Sequence, residues 1–363
     1  MGKDLQYYER RQAGVIRKRI RSGLDALLLT QAADIRYLCG FTGSSAVLVF
    51  ARQGPAFFTD GRYTQQAGEE VAGIQTIVSE GNPFLRALQW IKESKVRTLG
   101  LDFAHFTVSS FHQVRQKIGK KAELKDCSGM VEGLRMIKDA EEIARIRLAI
   151  KLGSALFPTA LKHIGSGIRE SQVAAEIEYE ARRRGAEGMS FETIVAGGAR
   201  SALPHGRASR ERLPQRGFVV LDFGVILTGY CSDMTRTVHL GKPDARARTM
   251  YEAVLRAQLA AIKRVRPGVA VSAIDEAARS VLNGVGFGQF FTHSTGHGVG
   301  LEIHEAPRIA GKQRQKLQPG MVITVEPGIY IPGEGGVRIE DMVLVTERGC
   351  EVLTPTTKRL ITI

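Results

Sequence analysis

A self-similarity at an offset of 101 residues constrains this chain more than any other feature. Sliding the sequence by that distance sets Ala160-Leu161-Lys162 over Ala261-Ile262-Lys263, Gly167-Ile168 over Gly268-Val269, and Ser171 with Val173 over Ser272 with Ile274. Each copy reads as helix, glycine turn, serine-capped helix, then glycine and a strand-like segment, and Ser272 with Asp275 has the spacing of a capping box. Two related α/β halves predict a domain with a pseudo-two-fold axis and a ligand site between the halves. The plainer alternative is that any two helix-turn-helix segments look alike.

The 363 residues leave room for a second domain in front of the repeat. A basic amphipathic helix is expected over 5–21, and apolar strand-like runs at 26–30, 46–50 and 56–59, the last two joined by the hairpin signal Arg52-Gln53-Gly54-Pro55. Strand-like 74–78, a helix near 83–94, strand-like 98–102 and a helix near 107–118 complete an α/β unit. It contains neither a phosphate loop nor a dinucleotide fingerprint, and no chemistry is read in it. The boundary is expected within 128–138, giving domains 1–130 and 131–363. There Asp139 and Glu142 form an Asp variant of the capping box, opening one long helix that runs toward Gly165.

Composition excludes several classes. The N-terminal stretch is charged throughout, which argues against a secretory signal or membrane span and for a cytoplasmic protein. Cys39, Cys127, Cys231 and Cys350 form no C-x-x-C pair, so neither a zinc knuckle nor a disulfide framework is expected. The net charge of +14 raises nucleic-acid binding, but Arg10, Arg11, Arg17, Lys18, Arg19, Arg21 and Arg182 to Arg184 read as solvated helical faces without aromatic partners.

Chemistry concentrates in the repeat domain. The stretch Phe291-Thr292-His293-Ser294-Thr295-Gly296-His297-Gly298-Val299-Gly300, with His304 beyond it, puts three of eight histidines within twelve residues. His293 and His297 have the spacing of a zinc helix, but Ser294 replaces the required Glu and three glycines oppose a helix. Any metal would need ligands from elsewhere. Residues 219–234 read as a hairpin turning near Thr228-Gly229. With Leu227 and Thr228 as turn residues, Asp222 and Asp233 are directly opposed, and a one-residue slip makes them diagonal. A second hairpin, 322–330 with 337–343, places Glu326 and Glu340 symmetrically about Gly333, inside apolar strands where an unpaired charge is costly. Arg338 lies on the face of Glu340 and can orient a carboxylate. Four carboxylates and an imidazole favour a hard or borderline divalent ion such as Mn²⁺ or Co²⁺, and two such ions would relieve the repulsion.

The series Asp222, Asp233, His297, Glu326, Glu340, with the strings LDFG, SDMTRT, GHGVG, VEPGIY and VRIED, resembles the pita-bread metallopeptidases of the Xaa-Pro branch, which contains prolidase and aminopeptidase P. The strings GFTGS and FFTDGRY are similar to that branch's creatinase-like N-terminal α/β domain, so the resemblance spans nearly the whole chain. It implies a C-terminal pita-bread domain and two divalent ions, Mn or Co first and Zn or Fe as alternatives. It implies that Asp222 binds one ion, Asp233 and Glu340 bridge both, and His297 and Glu326 complete the other. A hydroxide held between the ions would attack the peptide, while Glu326 relays its proton to the leaving prolyl nitrogen. His205 and His304 match substrate histidines, His293 a histidine of the pocket wall, and Arg308 the arginine that holds a dipeptide's C-terminal carboxylate. Proline-containing dipeptides or short peptides are the implied substrates and a homodimer the implied assembly, with no membrane or nucleic-acid partner. The rival reading is an inactive pita-bread module that binds protein or nucleic acid.

Overall fold

The computed structural model describes residues 5–363. The chain divides into two compact units that meet in sequence at Arg135 and Met136.

The first unit is built on a mixed six-stranded sheet. Helix α1 (Leu5–Arg21) leads into β1 (Ala26–Leu29), α2 (Ala32–Cys39), β2 (Ala46–Ala51) and β3 (Gly54–Asp60). The unit continues with α3 (Thr64–Glu70), β4 (Gln75–Ser79), α4 (Pro83–Glu93), β5 (Thr98–Leu101), α5 (Val108–Ile118), β6 (Glu123–Asp126) and α6 (Glu132–Arg135). The strand order is β4-β3-β2-β1-β5-β6, with β2 antiparallel to both neighbours and the outer pairings parallel. Every residue of β1 is buried, as its unbroken Ala-Leu-Leu-Leu run requires of a central strand. Two basic residues of α1 depart from the expectation of a solvated face. Arg11 and Arg19 are buried, and Arg11 lies 3.9 Å from the centroid of Tyr7 and 4.0 Å from that of Tyr37. A planar guanidinium can stack in an aromatic slot and still donate to a carbonyl, here Tyr37 O at 3.0 Å, which a charge count does not reveal.

In the second unit the Asp139–Glu142 capping box forms and opens α7 (Ala140–Ser154). The helix does not continue to Gly165. It breaks, and α8 (Phe157–His163) restarts with Pro158 in its first turn, because a prolyl ring can neither donate to residue 154 nor fit beside its carbonyl. Next come α9 (Glu170–Arg183), β7 (Gly188–Met189), β8 (Ile194–Gly197), β9 (Gly217–Phe223), β10 (Val225–Leu227), β11 (Tyr230–Cys231) and β12 (Met234–Leu240). The second half follows as α10 (Ala245–Arg264), α11 (Val271–Gly284), β13 (Gly296–Gly298), β14 (Glu305–Ile309), β15 (Val322–Val325), β16 (Gly328–Ile331), β17 (Gly335–Arg338), β18 (Asp341–Val345) and β19 (Cys350–Val352).

The 101-residue offset is carried by the backbone. α9 and α11 start and stop at that offset, and the preceding turn glycines, Gly167 and Gly268, both have φ of 81°. The helix starts, however, are not capped by serine. Ser171 and Ser272 fall inside the first turns, and the Ser272–Asp275 capping box does not form. Neighbouring main chain takes over: Glu170 N donates to Glu211 O at 3.0 Å, and Val271 N to Gln315 O at 2.9 Å. Asp275, freed from capping, is buried and accepts from Thr295 Oγ1 at 2.7 Å and from Arg279 at 2.8 Å. Each half has its own apolar core, one around Val173, Ile177, Val219 and Leu221, the other around Val254, Ile274, Ile323 and Val343.

Candidate active site

Two interrupted β-ribbons, one in each half, carry the acidic side chains. In the first, β10 pairs with β11 around Thr228-Gly229, whose φ values are 50° and 84°. A two-residue turn with φ positive at both positions suits glycine and penalises leucine, so Leu227 stays in the strand. That choice sets the register: β9 pairs with β12 so that Asp222 lies opposite Thr235, and Asp222 and Asp233 are diagonal rather than directly opposed. Asp233 sits in the gap between the two paired segments, where Gly224 lets the ribbon cross itself; a Cβ there would lie 1.8 Å from Ser232 O.

The second ribbon repeats the device. β15 pairs with β18 and β16 with β17 about the same centre, Gly333, yet Glu326-Pro327 and Ile339-Glu340 belong to neither pairing. Pro327 cannot donate to a ladder, so the ribbon opens there and both glutamates fall outside the paired segments. His297 comes from β13, between Gly296 and Gly298. Neither glycine has positive φ, and their role is close strand approach: a Cβ would lie 2.1 Å from Thr324 O at Gly296 and 2.2 Å from Ala306 O at Gly298.

These elements converge on one cavity of about 670 Å³. Its walls include Asp222, Asp233, His297, Glu326 and Glu340, together with His205, His293, His304, Arg308 and Arg338. The five acidic and imidazole groups face each other closely. His297 Nε2 is 3.3 Å from Glu326 Oε1 and 3.6 Å from Asp233 Oδ2, and one ligand atom each from Asp233, His297 and Glu340 fall within 4.8 Å of one another. His297 Nδ1 faces Gly298 O at 3.0 Å, so the tautomer that donates there leaves Nε2 with its lone pair toward the carboxylates. Thr324 Oγ1 accepts from His297 N at 3.0 Å and faces Glu326 Oε1 at 3.2 Å, tying the two side chains together.

The electrostatics are unbalanced. Burial pushes Asp233 and Glu340 well above the usual carboxylate range, and their acidic neighbours push them further. Burial also raises Asp222, against the pull of Arg338, whose Nη2 donates to Asp222 Oδ2 at 2.6 Å. Glu326 runs the other way: burial alone would raise it, but the hydrogen bond and charge of His297, with His293 and Arg338, hold it at about 2. His297 is correspondingly raised by Glu326 despite its burial, whereas burial lowers His293. Asp222 Oδ1 and Glu340 Oε1 are buried without a hydrogen-bond partner among the described residues. A cluster of oxygen donors with one imidazole, two of its buried oxygens unsatisfied, fits hard or borderline divalent cations.

The remaining positions fall on the cavity wall. His205 and His304 are exposed there, and the His304 ring meets the His297 ring edge-on at a centroid distance of 4.4 Å. Arg308 is also exposed, next to the cis bond Ala306–Pro307. His293 Nε2 is 2.9 Å from Tyr330 Oη. Tyr330 received no role from sequence, yet its hydroxyl also accepts from Arg338 Nη1 at 2.7 Å, and burial raises it to about 12. Thr235 was missed as well; its hydroxyl donates to Glu340 Oε2 at 2.7 Å. Only the register, which puts Thr235 opposite Asp222, could have flagged it.

Comparison with known proteins covers both units of the chain. Residues 144–347 match the model of metallopeptidase family M24, and residues 11–137 match the creatinase/prolidase N-terminal domain. The chain belongs to metallopeptidase family M24. It is 38% identical to the Xaa-Pro dipeptidase of Pyrococcus furiosus over 342 residues, covering 94% of this chain and 96% of that one. A solved Xaa-Pro dipeptidase from Bacillus anthracis superposes with a TM-score of 0.94 at 40% identity, over 98% of this chain and all of the other. The X-Pro aminopeptidase of Thermotoga maritima superposes with a TM-score of 0.87 at 36% identity, over 95% of this chain and all of the other. The pita-bread fold with a creatinase-like front domain is thereby shown. Among the described residues no helix is long and apolar enough to cross a membrane.

Proposed function

We propose that this metallopeptidase cleaves the bond between an N-terminal residue and proline, in Xaa-Pro dipeptides or short Xaa-Pro peptides, with two divalent ions, Mn²⁺ or Co²⁺ first. The observation that carries the reading is the convergence of Asp222, Asp233, His297, Glu326 and Glu340 on one cavity with two unsatisfied carboxylate oxygens among the described residues. These five side chains would hold the ions. When bound, the ions would acidify a water and polarise the scissile carbonyl.

The chain's own groups supply the rest. Glu326, kept ionised by His297, takes a proton from the attacking water on its carboxylate and returns it to the prolyl nitrogen as the amide breaks. His205 and His304 donate to the substrate carbonyl and to the oxyanion that forms from it. Arg338 holds Asp222 through Nη2 and the His205 loop through Nη1, which donates to Pro204 O at 3.0 Å. Arg308 projects at the cavity rim, where its guanidinium can pair with the carboxylate of a dipeptide. That favours dipeptides over longer chains, since a third residue would move the carboxylate away.

The test is hydrolysis of Ala-Pro beside Ala-Pro-Ala by protein reconstituted with Mn²⁺, Co²⁺ or Zn²⁺. Turnover that disappears in Asp233→Ala supports the reading. No turnover with any of the three metals, or full turnover in the variant, refutes it.

A further inference from the structure

Glu340 stands in the gap between β17 and β18, where the ladder offers its main chain nothing. Its polar groups are nevertheless fixed one by one. Its N–H donates to Thr235 O at 3.1 Å and its Oε2 accepts from Thr235 Oγ1 at 2.7 Å. Its carbonyl accepts from Arg236 Nη1. Only Oε1, buried and without a partner, is left to face the cavity. The aim of that oxygen therefore depends on two consecutive residues of β12, and one of them is a guanidinium that is 1% exposed.

Arg236 is held from three directions. Its Nη2 donates to Asp341 Oδ1 at 2.7 Å and to Thr356 O at 2.7 Å, and its Nε donates to Thr357 O at 2.9 Å. Asp341, wholly buried, accepts through Oδ2 from Gln258 Nε2 at 2.8 Å and from Lys358 Nζ at 2.7 Å. The segment 356–358 is itself tied down, with Lys358 O accepting from Tyr251 Oη at 3.1 Å. A buried cation needs partners, but ordinary packing at a strand position would be served by an apolar side chain at lower desolvation cost. What a planar fork adds is simultaneous contact with the Glu340 carbonyl, the Asp341 carboxylate and two carbonyls of the C-terminal segment. No ammonium can span them.

We propose that Arg236 is a positioning residue for Glu340, and that the segment 356–358 is the strap that holds Arg236 in place through its carbonyls and the Lys358–Asp341 ion pair. The inference rests on the reading of Glu340 as a metal ligand. It assigns the C-terminal segment, which does not line the cavity, a part in metal affinity.

The test titrates Mn²⁺ into full-length protein, first stripped by chelation, by calorimetry. Arg236→Lys, Lys358→Met and Ile177→Ala are compared with wild type, and thermal unfolding of each metal-free protein is recorded in parallel. Arg236→Lys is expected to weaken one Mn²⁺ by about 10–100-fold, the usual effect of removing a partner that orients a ligand. Lys358→Met, at a side chain 23% exposed, is expected to shift the same ion in the same direction by a smaller factor. Excess Mn²⁺ should restore kcat on Ala-Pro in both, with KM unchanged. Ile177→Ala, a truncation in the apolar core of the first half and not in the strap, should leave Mn²⁺ affinity unchanged even where the melting temperature falls. If Arg236→Lys does not fold, Lys358→Met decides alone. Wild-type Mn²⁺ affinity in Lys358→Met overturns the inference, as does an Ile177→Ala protein that loses as much affinity as the other variants. A wild-type protein that binds no Mn²⁺ refutes the proposed metal centre and this inference with it, whereas normal wild-type binding with unaffected variants refutes the inference alone.

Discussion

Glu340→Gln should make the metal-free protein more stable than wild type. The substitution keeps the volume of the side chain, and its amide oxygen can still accept from Thr235 Oγ1, which bonds Glu340 Oε2 at 2.7 Å. What it removes is one negative charge whose ligand atom lies within 4.8 Å of that of Asp233. At an effective dielectric constant of ~20, two ionised carboxylates at that separation repel by roughly 3.5 kcal/mol. Wild type escapes part of this by retaining a proton, so the expected gain is about 1–3 kcal/mol, or roughly 2–12 °C in the melting temperature of a unit this size. The new amide can also donate to Asp233. Mn²⁺ should reverse the ranking. Wild type would gain about 2.7 kcal/mol at a hundredfold excess over Kd, while the variant, short of one ligand oxygen, gains far less. Calorimetric melting of both proteins in chelator and in Mn²⁺ tests the point. A metal-free variant less stable than wild type would refute the reasoning, because it would mean that the carboxylates are already satisfied by the protein.

The same cluster sets a pH dependence. Asp233 and Glu340 are both raised in the folded chain, so the stability they contribute is complete below the ordinary carboxylate range and is lost as pH rises through their elevated folded values. Metal-free wild type should therefore weaken on going from acid toward neutral pH, and Glu340→Gln should show a smaller loss over the same window in pH-dependent melts. His304→Ala should lower kcat by about 100-fold or more at saturating Mn²⁺, the scale of losing one donor to a developing oxyanion, with metal affinity unchanged by calorimetry. Tyr330→Phe should cost about 1–3 kcal/mol in melts, since it strips a hydrogen bond from a buried Arg338 and from His293 together.

The four acids that gather at the cavity were legible because ribbon register is arithmetic, whereas His205, His293, His304 and Arg308 were legible only through the family resemblance. Glu326 and Glu340 are equidistant from Gly333, and any tight turn there brings them together. The first ribbon was legible only up to a choice of turn, which the positive φ of Thr228 and Gly229 decides. In the front unit α1, α4 and α5 followed from periodicity, whereas α3 and α6 were not expected and neither was α2. Its eight residues begin after Gln31, which makes no side-chain cap, and end at Gly40, so the only punctuation lies at one end. The groups that orient the acids were the least legible. Thr235, Thr324 and Arg236 look like ordinary strand residues, and Tyr330 like a core aromatic. Their roles depend on tertiary contacts, some between residues as much as 121 positions apart in the chain.

The glycines around His297 have a role that composition does not reveal. A glycine-rich stretch with histidines suggests backbone kept clear for ligand and metal, but Gly296 and Gly298 are spent on neighbouring strands, where a Cβ would meet Thr324 O at 2.1 Å and Ala306 O at 2.2 Å. Both obstacles are main chain, which cannot rotate aside as a side chain can. Gly298→Ala must therefore push β14 away from β13, and β14 is the strand that follows His304 and carries Arg308. The displacement would move substrate groups while His297 keeps its hydrogen bond from Nδ1 to its neighbour's carbonyl. Gly296→Ala pushes instead on Thr324, whose hydroxyl joins His297 N to Glu326. The expected split is that Gly298→Ala raises KM for Ala-Pro more than it weakens Mn²⁺, and Gly296→Ala weakens Mn²⁺ more than it raises KM. Equal effects on both quantities in the two variants would mean that each simply unfolds the sheet. Circular dichroism and melting of the metal-free variants, measured beside the kinetics, would expose that outcome.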